Sequence, residues 1–158
     1  MRKQFAKMLF EEMANNNDIY LITGDLGYGL FDDIRDTYPL RFMNVGSSEM
    51  VMMGTGIGLA MEGKIPFVYS ITPFAIYRPF EMIRNYLSHE GILVNVIGGG
   101  RDQDYGYLGF SHWAEDDKSI INQLPNLATA WPETEENLKE CMRYCLSRTL
   151  PTYINLKR

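Results

Sequence analysis

The sequence predicts an α/β class fold: a single three-layer domain built on a mostly parallel, about six-stranded sheet. Strand and helix patterns alternate from end to end, as they do when helices cover both faces of a parallel sheet. Glycine and proline separate several of these segments, with a Gly-rich stretch at 24–29, Pro39 and Gly63. A length of 158 residues suits one domain with a sizeable core, so residues 1–158 are read as a single domain.

In chain order, residues 3–14 carry Phe5, Leu9 and Met13 at helical spacing. Residues 18–23 form a short apolar strand, followed by the Gly-rich loop. Residues 31–38 predict a short helix and 41–45 a second strand. Residues 47–62 predict a helix with Ser47 or Ser48 as N-cap and Gly63 as terminator. A third strand spans 65–71. A helix spans 75–89, with Pro79 tolerated only near its first turn. A fourth strand spans 92–97. The loop over 98–113, rich in glycine and aromatics, is long enough to suggest function. A helix over 114–123, a strand over 127–131, a helix over 133–147 and a strand over 152–156 complete the chain.

Composition narrows the function classes. With 46% hydrophobic and 22% charged residues, the chain reads as a soluble globular protein. A net charge of −5 argues against nucleic acid as the main partner. No apolar run reaches membrane-spanning length. Glu11 and Glu12 interrupt the basic start, which argues against a secretory signal. Cys141 and Cys145 read as reduced thiols of a cytoplasmic protein. Met50, Met52 and Met53 fit either adaptable core or a subunit interface.

Candidate residues gather at predicted strand ends, where open α/β sheets bind ligands. Glu49 is a lone carboxylate ahead of an uncharged run that continues to Ala60. A carboxylate entering so apolar a helix is costly without a partner, although the helix dipole favours it in the first turn. Phe74, Tyr77 and Phe80 recur every third residue, so one helical turn could present them together. Gly54, Gly56 and Gly58 lie within a predicted helix, so they fail the context test for a dinucleotide fingerprint and suit close helix packing. Residues 98–100, three glycines, read as flexible loop. His89 reads as a helix cap or surface residue. Arg78, Arg84 and Arg101 read equally as sugar-phosphate ligands or surface charges.

Several runs, taken in order, resemble one family. They are Gly24-Asp25-Leu26-Gly27, Asn44-Val45-Gly46-Ser47-Ser48-Glu49, Pro66-Phe67-Val68-Tyr69-Ser70, Pro73-Phe74, Arg78-Pro79-Phe80-Glu81-Met82-Ile83-Arg84-Asn85, and Gly106-Tyr107-Leu108-Gly109-Phe110-Ser111-His112. The set resembles the pyrimidine-binding domain of transketolases, thiamine diphosphate enzymes, and in particular the C-terminal subunit of split transketolases. The resemblance implies the thiamine diphosphate-binding fold. It implies that Glu49 hydrogen-bonds the aminopyrimidine of thiamine diphosphate and shifts its tautomer, and that Phe74, Tyr77 and Phe80 pack around that ring. It implies that Asp25 lies near the thiazolium and that His112 contacts the substrate or reacting centre.

The departures bear on substrate identity. Leu108 stands where many full-length relatives have an acidic residue, Ser47 and Ser48 precede the glutamate, and Trp113 follows His112. The family holds the diphosphate through Mg²⁺ on a second domain, with a Gly-Asp-Gly motif. Here Gly24-Asp25 continues with Leu26, so no metal ligand is assigned to this chain. The resemblance therefore implies a separate diphosphate-binding partner subunit that holds the Mg²⁺. It also implies an α2β2 heterotetramer built on a homodimer of this chain, acting on small sugars by two-carbon ketol transfer. A synthase or decarboxylase subunit on the same cofactor, and a non-catalytic regulatory subunit, are the alternatives.

Overall fold

The computed structural model describes residues 1–158. Six strands are present: β1 (Ile19–Thr23), β2 (Phe42–Asn44), β3 (Ile65–Ile71), β4 (Asn95–Gly99), β5 (Ala128–Ala130) and β6 (Thr152–Leu156). They form one sheet in the order β2-β1-β3-β4-β6-β5. Every neighbouring pair runs parallel. The helices are α1 (Arg2–Asn15), α2 (Asp32–Thr37), α3 (Glu49–Met61), α4 (Thr72–Tyr77), α5 (Phe80–Met82), α6 (Asp117–Ile121) and α7 (Glu135–Ser147).

Successive strand side chains point to opposite faces, and the core divides accordingly. On one face Leu21, Phe67, Tyr69 and Ile154 pack with Phe5, Leu9 and Met13 of α1 and with Leu138 and Met142 of α7. On the other, Ile22, Val68, Val96 and Tyr153 pack with Met52, Met53 and Ile57 of α3 and with Ile76 of α4. All seven residues of β3 are buried, as expected for a strand covered on both faces. β1 connects outward to β2, and the chain then returns across it to β3. The strand order therefore reverses between β1 and β3, and such switch points are where open α/β sheets form ligand crevices.

β3 and β6 lie where the sequence placed them, and the other elements differ in their ends. The largest difference is the helix expected over 75–89. α4 starts earlier, at Thr72, because Pro73 suits a first helical turn. Pro79 then separates it from α5, and a π-helical turn spans Ile83–His89. Proline supplies no N–H and its ring crowds the preceding turn. Ser48 occupies the N-cap position of α3, but its side chain makes no capping bond. The loop over 98–113 holds two 3₁₀ turns, Gly106–Leu108 and Phe110–His112. An antiparallel bridge between Asp102 and Ala114 closes it.

The glycines at 98 and 99 are not flexible loop. Both belong to β4 and are buried. A Cβ on Gly99 would fall on the phenol of Tyr69, 2.9 Å from its Cζ. Tyr69 is itself buried and meets Phe31 edge-on at 4.8 Å, so it has nowhere to retreat. Gly99→Ala is expected to destabilise the fold by about 1–3 kcal/mol, measured by urea unfolding. Stability equal to wild type would mean that the ring shifts freely. Of the α3 glycines only Gly56 suits close packing, since a Cβ there would come within 2.8 Å of Val68 on β3, whereas Gly58 has open space around it.

Met52 and Met53 are core, whereas Met50 and Val51 stay exposed beside Glu49. Cys141 and Cys145 are free thiols. Burial pushes the Cys145 thiol up to about 12, so it packs as a protonated core side chain. No helix is long and apolar enough to cross a membrane.

Candidate functional site

Glu49 is the first residue of α3, and its side chain is only 1% exposed. Gly46 turns the chain out of β2 with φ +73, a conformation that favours glycine. On the opposite side, a Cβ on Gly24 would come within 3.2 Å of Glu49 Oε1. The bare backbone at the end of β1 is therefore what lets the carboxylate lie against the sheet. Ser70 Oγ, from β3, donates to Oε1 at 3.2 Å. Arg78 Nη1 donates to Oε2 at 2.6 Å. These two donors, with the helix N-terminus behind them, are what a buried carboxylate requires.

The same arginine joins Glu49 to Phe74. Arg78 is the C-cap residue of α4, and its Cζ lies 3.6 Å from the centre of the Phe74 ring. The His112 ring meets Phe74 edge-on, with centroids 5.1 Å apart. The start of α4 is fixed from below. Thr72 Oγ1 donates to the Gly100 carbonyl at 2.6 Å, and Asn155 Nδ2 donates to Thr72 Oγ1 at 3.3 Å. Asn155 also donates to buried Asp117, which accepts from Trp131 Nε1 and the Tyr153 hydroxyl as well. This network ties α4, which carries Phe74, to α6 just beyond the loop that carries His112.

Of the three aromatics expected on one helical turn, Phe74 and Tyr77 both lie on α4, three residues apart, and Phe80 lies past Pro79. Tyr77 is exposed, and its hydroxyl donates to Asp116. Partial burial, reinforced by that bond, holds the Tyr77 phenol well above its usual range. Phe80 lies beyond Pro79 in α5 and is half-buried. The groups packed on the Phe74 ring are the Arg78 guanidinium and the His112 imidazole. The break at Pro79 places Phe80 in a separate short helix.

Asp25 stands at the carboxyl end of β1 with φ +55, a left-handed conformation that aspartate tolerates better than most side chains. Its N–H and that of Gly46 both donate to Asn44 Oδ1 at 3.0 Å. The Tyr28 hydroxyl donates to the Asp25 carboxylate, and Asn44 Nδ2 donates to that hydroxyl at 3.2 Å. Asn44 thus clamps the loops after β1 and β2 side by side.

Sequence reasoning left Arg78 open between phosphate ligand and surface charge, and passed over Asn44 and Tyr28. Asn44 and Arg78 stand inside the runs that carry the resemblance, which was the available signal. Of the other arginines left open, Arg101 is buried and committed to Glu133, Asn155 and the Pro132 carbonyl. Arg84 reaches Asn85 at the surface, and His89 is exposed beside Glu90.

A buried acceptor, a flat aromatic ring and a histidine therefore meet at the strand-order switch. That donor and acceptor set fits an aminopyrimidine, which is planar, hydrogen-bonds through its ring edge and stacks through its face. The family model of the transketolase pyrimidine-binding domain matches residues 1–158. A transketolase C-terminal section from Methanocaldococcus jannaschii is 29% identical over 159 aligned positions, covering 100% of this chain and 50% of that protein. A 6-deoxy-6-sulfo-D-fructose transketolase subunit from a Clostridium species is 27% identical, covering 100% of this chain and 49% of its own length. A split-gene transketolase, solved as an inactive β4 tetramer, superposes with a TM-score of 0.86 at 29% identity, covering 99% of this chain and 50% of that one. The chain thus spans about half the length of these relatives. A family match over all 158 residues, joined to a six-stranded parallel sheet of the same fold, means that the chain belongs to the transketolase family as its pyrimidine-binding domain.

Proposed function

We propose that this chain is the pyrimidine-binding half of a two-subunit, thiamine diphosphate-dependent enzyme that transfers a two-carbon ketol unit between sugar or sugar-phosphate substrates. The observation that carries this reading is Glu49, a buried carboxylate held by Ser70 and Arg78 beside the Phe74 ring. When bound, thiamine diphosphate supplies the electron sink for carbanion chemistry at a carbonyl carbon. The protein's task is to bind, orient and polarise. Glu49 accepts a hydrogen bond from the pyrimidine edge and holds the tautomer that the chemistry needs. Phe74 offers a ring face for stacking, with Tyr77 and Phe80 as further walls of the cofactor site. His112, edge-on to Phe74, would exchange a proton with a substrate oxygen. Asp25, held by Tyr28 and the Asn44 clamp, would face the thiazolium.

The related split-gene transketolase was solved as an inactive β4 tetramer, which supports a reading in which a separate subunit completes the site. That partner holds the diphosphate through Mg²⁺, and two copies of each chain form the closed assembly. The exposed Met50 and Val51 beside Glu49 suit an interface between copies of this chain.

Phe74→Ala tests the reading. In the assembled enzyme it is expected to weaken thiamine diphosphate binding about tenfold, the scale of one lost aromatic stack plus its buried area. Phe74 is only half-buried, so the melting temperature should fall little. Unchanged affinity with a lower melting temperature would make Phe74 a packing residue and remove the stacking role.

A further inference from the structure

We propose that Arg78 is a placeholder for the aminopyrimidine ring: it fills the cofactor's seat in the cofactor-free chain and must swing out before the ring can enter. The inference rests on the reading of Glu49 and Phe74 given above. Both features that define the seat are held by this one side chain. Arg78 takes Glu49 Oε2 at 2.6 Å, while Ser70 takes Oε1. Its guanidinium also lies 3.6 Å above the Phe74 ring centre, so no second ring can stack on that face while it is there.

The chemistry of the two occupants matches. A guanidinium is planar, donates N–H bonds to a carboxylate and stacks on aromatic faces. An aminopyrimidine has the same three properties, so a site built for one accepts the other.

Something around Glu49 must move, because its side chain is only 1% exposed and an incoming ligand cannot otherwise touch it. The remaining neighbours are fixed. Gly24 is backbone at the end of β1, and Ser70 is fully buried on β3. The Arg78 side chain is 44% exposed and leaves the last turn of α4 just before Pro79 breaks the helix. Rotating into solvent gives up its contacts with Glu49 and Phe74. Its departure takes the paired cation away from Glu49, which then requires an N–H donor or a proton from the arriving ring. Opening the seat and engaging Glu49 with the pyrimidine thus become one event.

The test compares wild type, Arg78→Met and Arg78→Lys, each assembled with the diphosphate-binding partner and Mg²⁺ and titrated with thiamine diphosphate by calorimetry. Association rates are followed through the fluorescence of Trp113 and Trp131. Arg78→Met loses the charge and the planar fork, and its apparent Kd is expected to fall about tenfold, as when a closed state holding about nine-tenths of the population is removed. Its association rate rises alongside. Arg78→Lys keeps a cation for Glu49 but cannot cover the ring, so its Kd is expected to fall by a smaller factor. If Arg78→Met does not fold, Arg78→Lys alone decides. Equal or weaker binding by the folded variants overturns the placeholder while the wild-type titration still supports the site. A wild-type complex that does not bind thiamine diphosphate overturns the reading of the site and the placeholder together.

Discussion

Glu49→Gln is expected to lower turnover of the assembled enzyme about 10²–10⁴-fold, the usual range for losing a group that manages a proton in the reaction, while the chain folds as before. The substitution preserves shape. A glutamine at this position still presents an oxygen to Arg78 and a polar terminus to Ser70, and it fits against Gly24 as the native side chain does. What it lacks is the negative charge and the capacity to exchange a proton with a ring nitrogen. Arg78 is half-exposed, so water can solvate it once the charge opposite is gone, which limits the structural penalty. The measurement is a steady-state assay with saturating cofactor and partner, run beside a thermal melt. A variant that melts normally yet turns over at near wild-type rate would remove Glu49 from the proton-handling role. A variant that fails to fold would show the ion pair to be structural first.

Separated from its partner, the chain is expected to show no ketol transfer, with activity appearing only when a diphosphate-binding subunit, Mg²⁺ and thiamine diphosphate are added together. The physical reason is charge. A diphosphate brings several negative charges, and Mg²⁺ binding needs oxygen ligands in octahedral array shared with phosphate oxygens. The groups at this sheet edge are Glu49, already neutralised by Arg78, and Asp25, which accepts from Tyr28. Neither neutralises a diphosphate. Assaying the chain alone, then with each component added in turn, gives the answer. Full activity of the isolated chain would place the metal site here and end the two-subunit reading.

The sequence by itself determined the fold class, because strand and helix alternation is a local, periodic property that any parallel α/β packing must express. It determined β3 within its observed limits, since a short, mostly apolar run between Gly63 and Pro73 has few other uses. It also singled out Glu49 as a carboxylate heading an uncharged helix, to which the family resemblance gave a role. Tertiary structure decided what periodicity cannot encode. Whether Phe74, Tyr77 and Phe80 share a face depended on how the chain resolves Pro73 and Pro79 under packing, and the outcome was two short helices in place of one. Whether the glycines at 98 and 99 were loose or essential depended on Thr72 and Tyr69, residues far away in the chain. The partner of Glu49 was the least legible feature. An arginine 29 positions downstream is marked only by its place in a family-like run, and only the crossover from α3 through β3 to α4 brings its guanidinium onto the carboxylate.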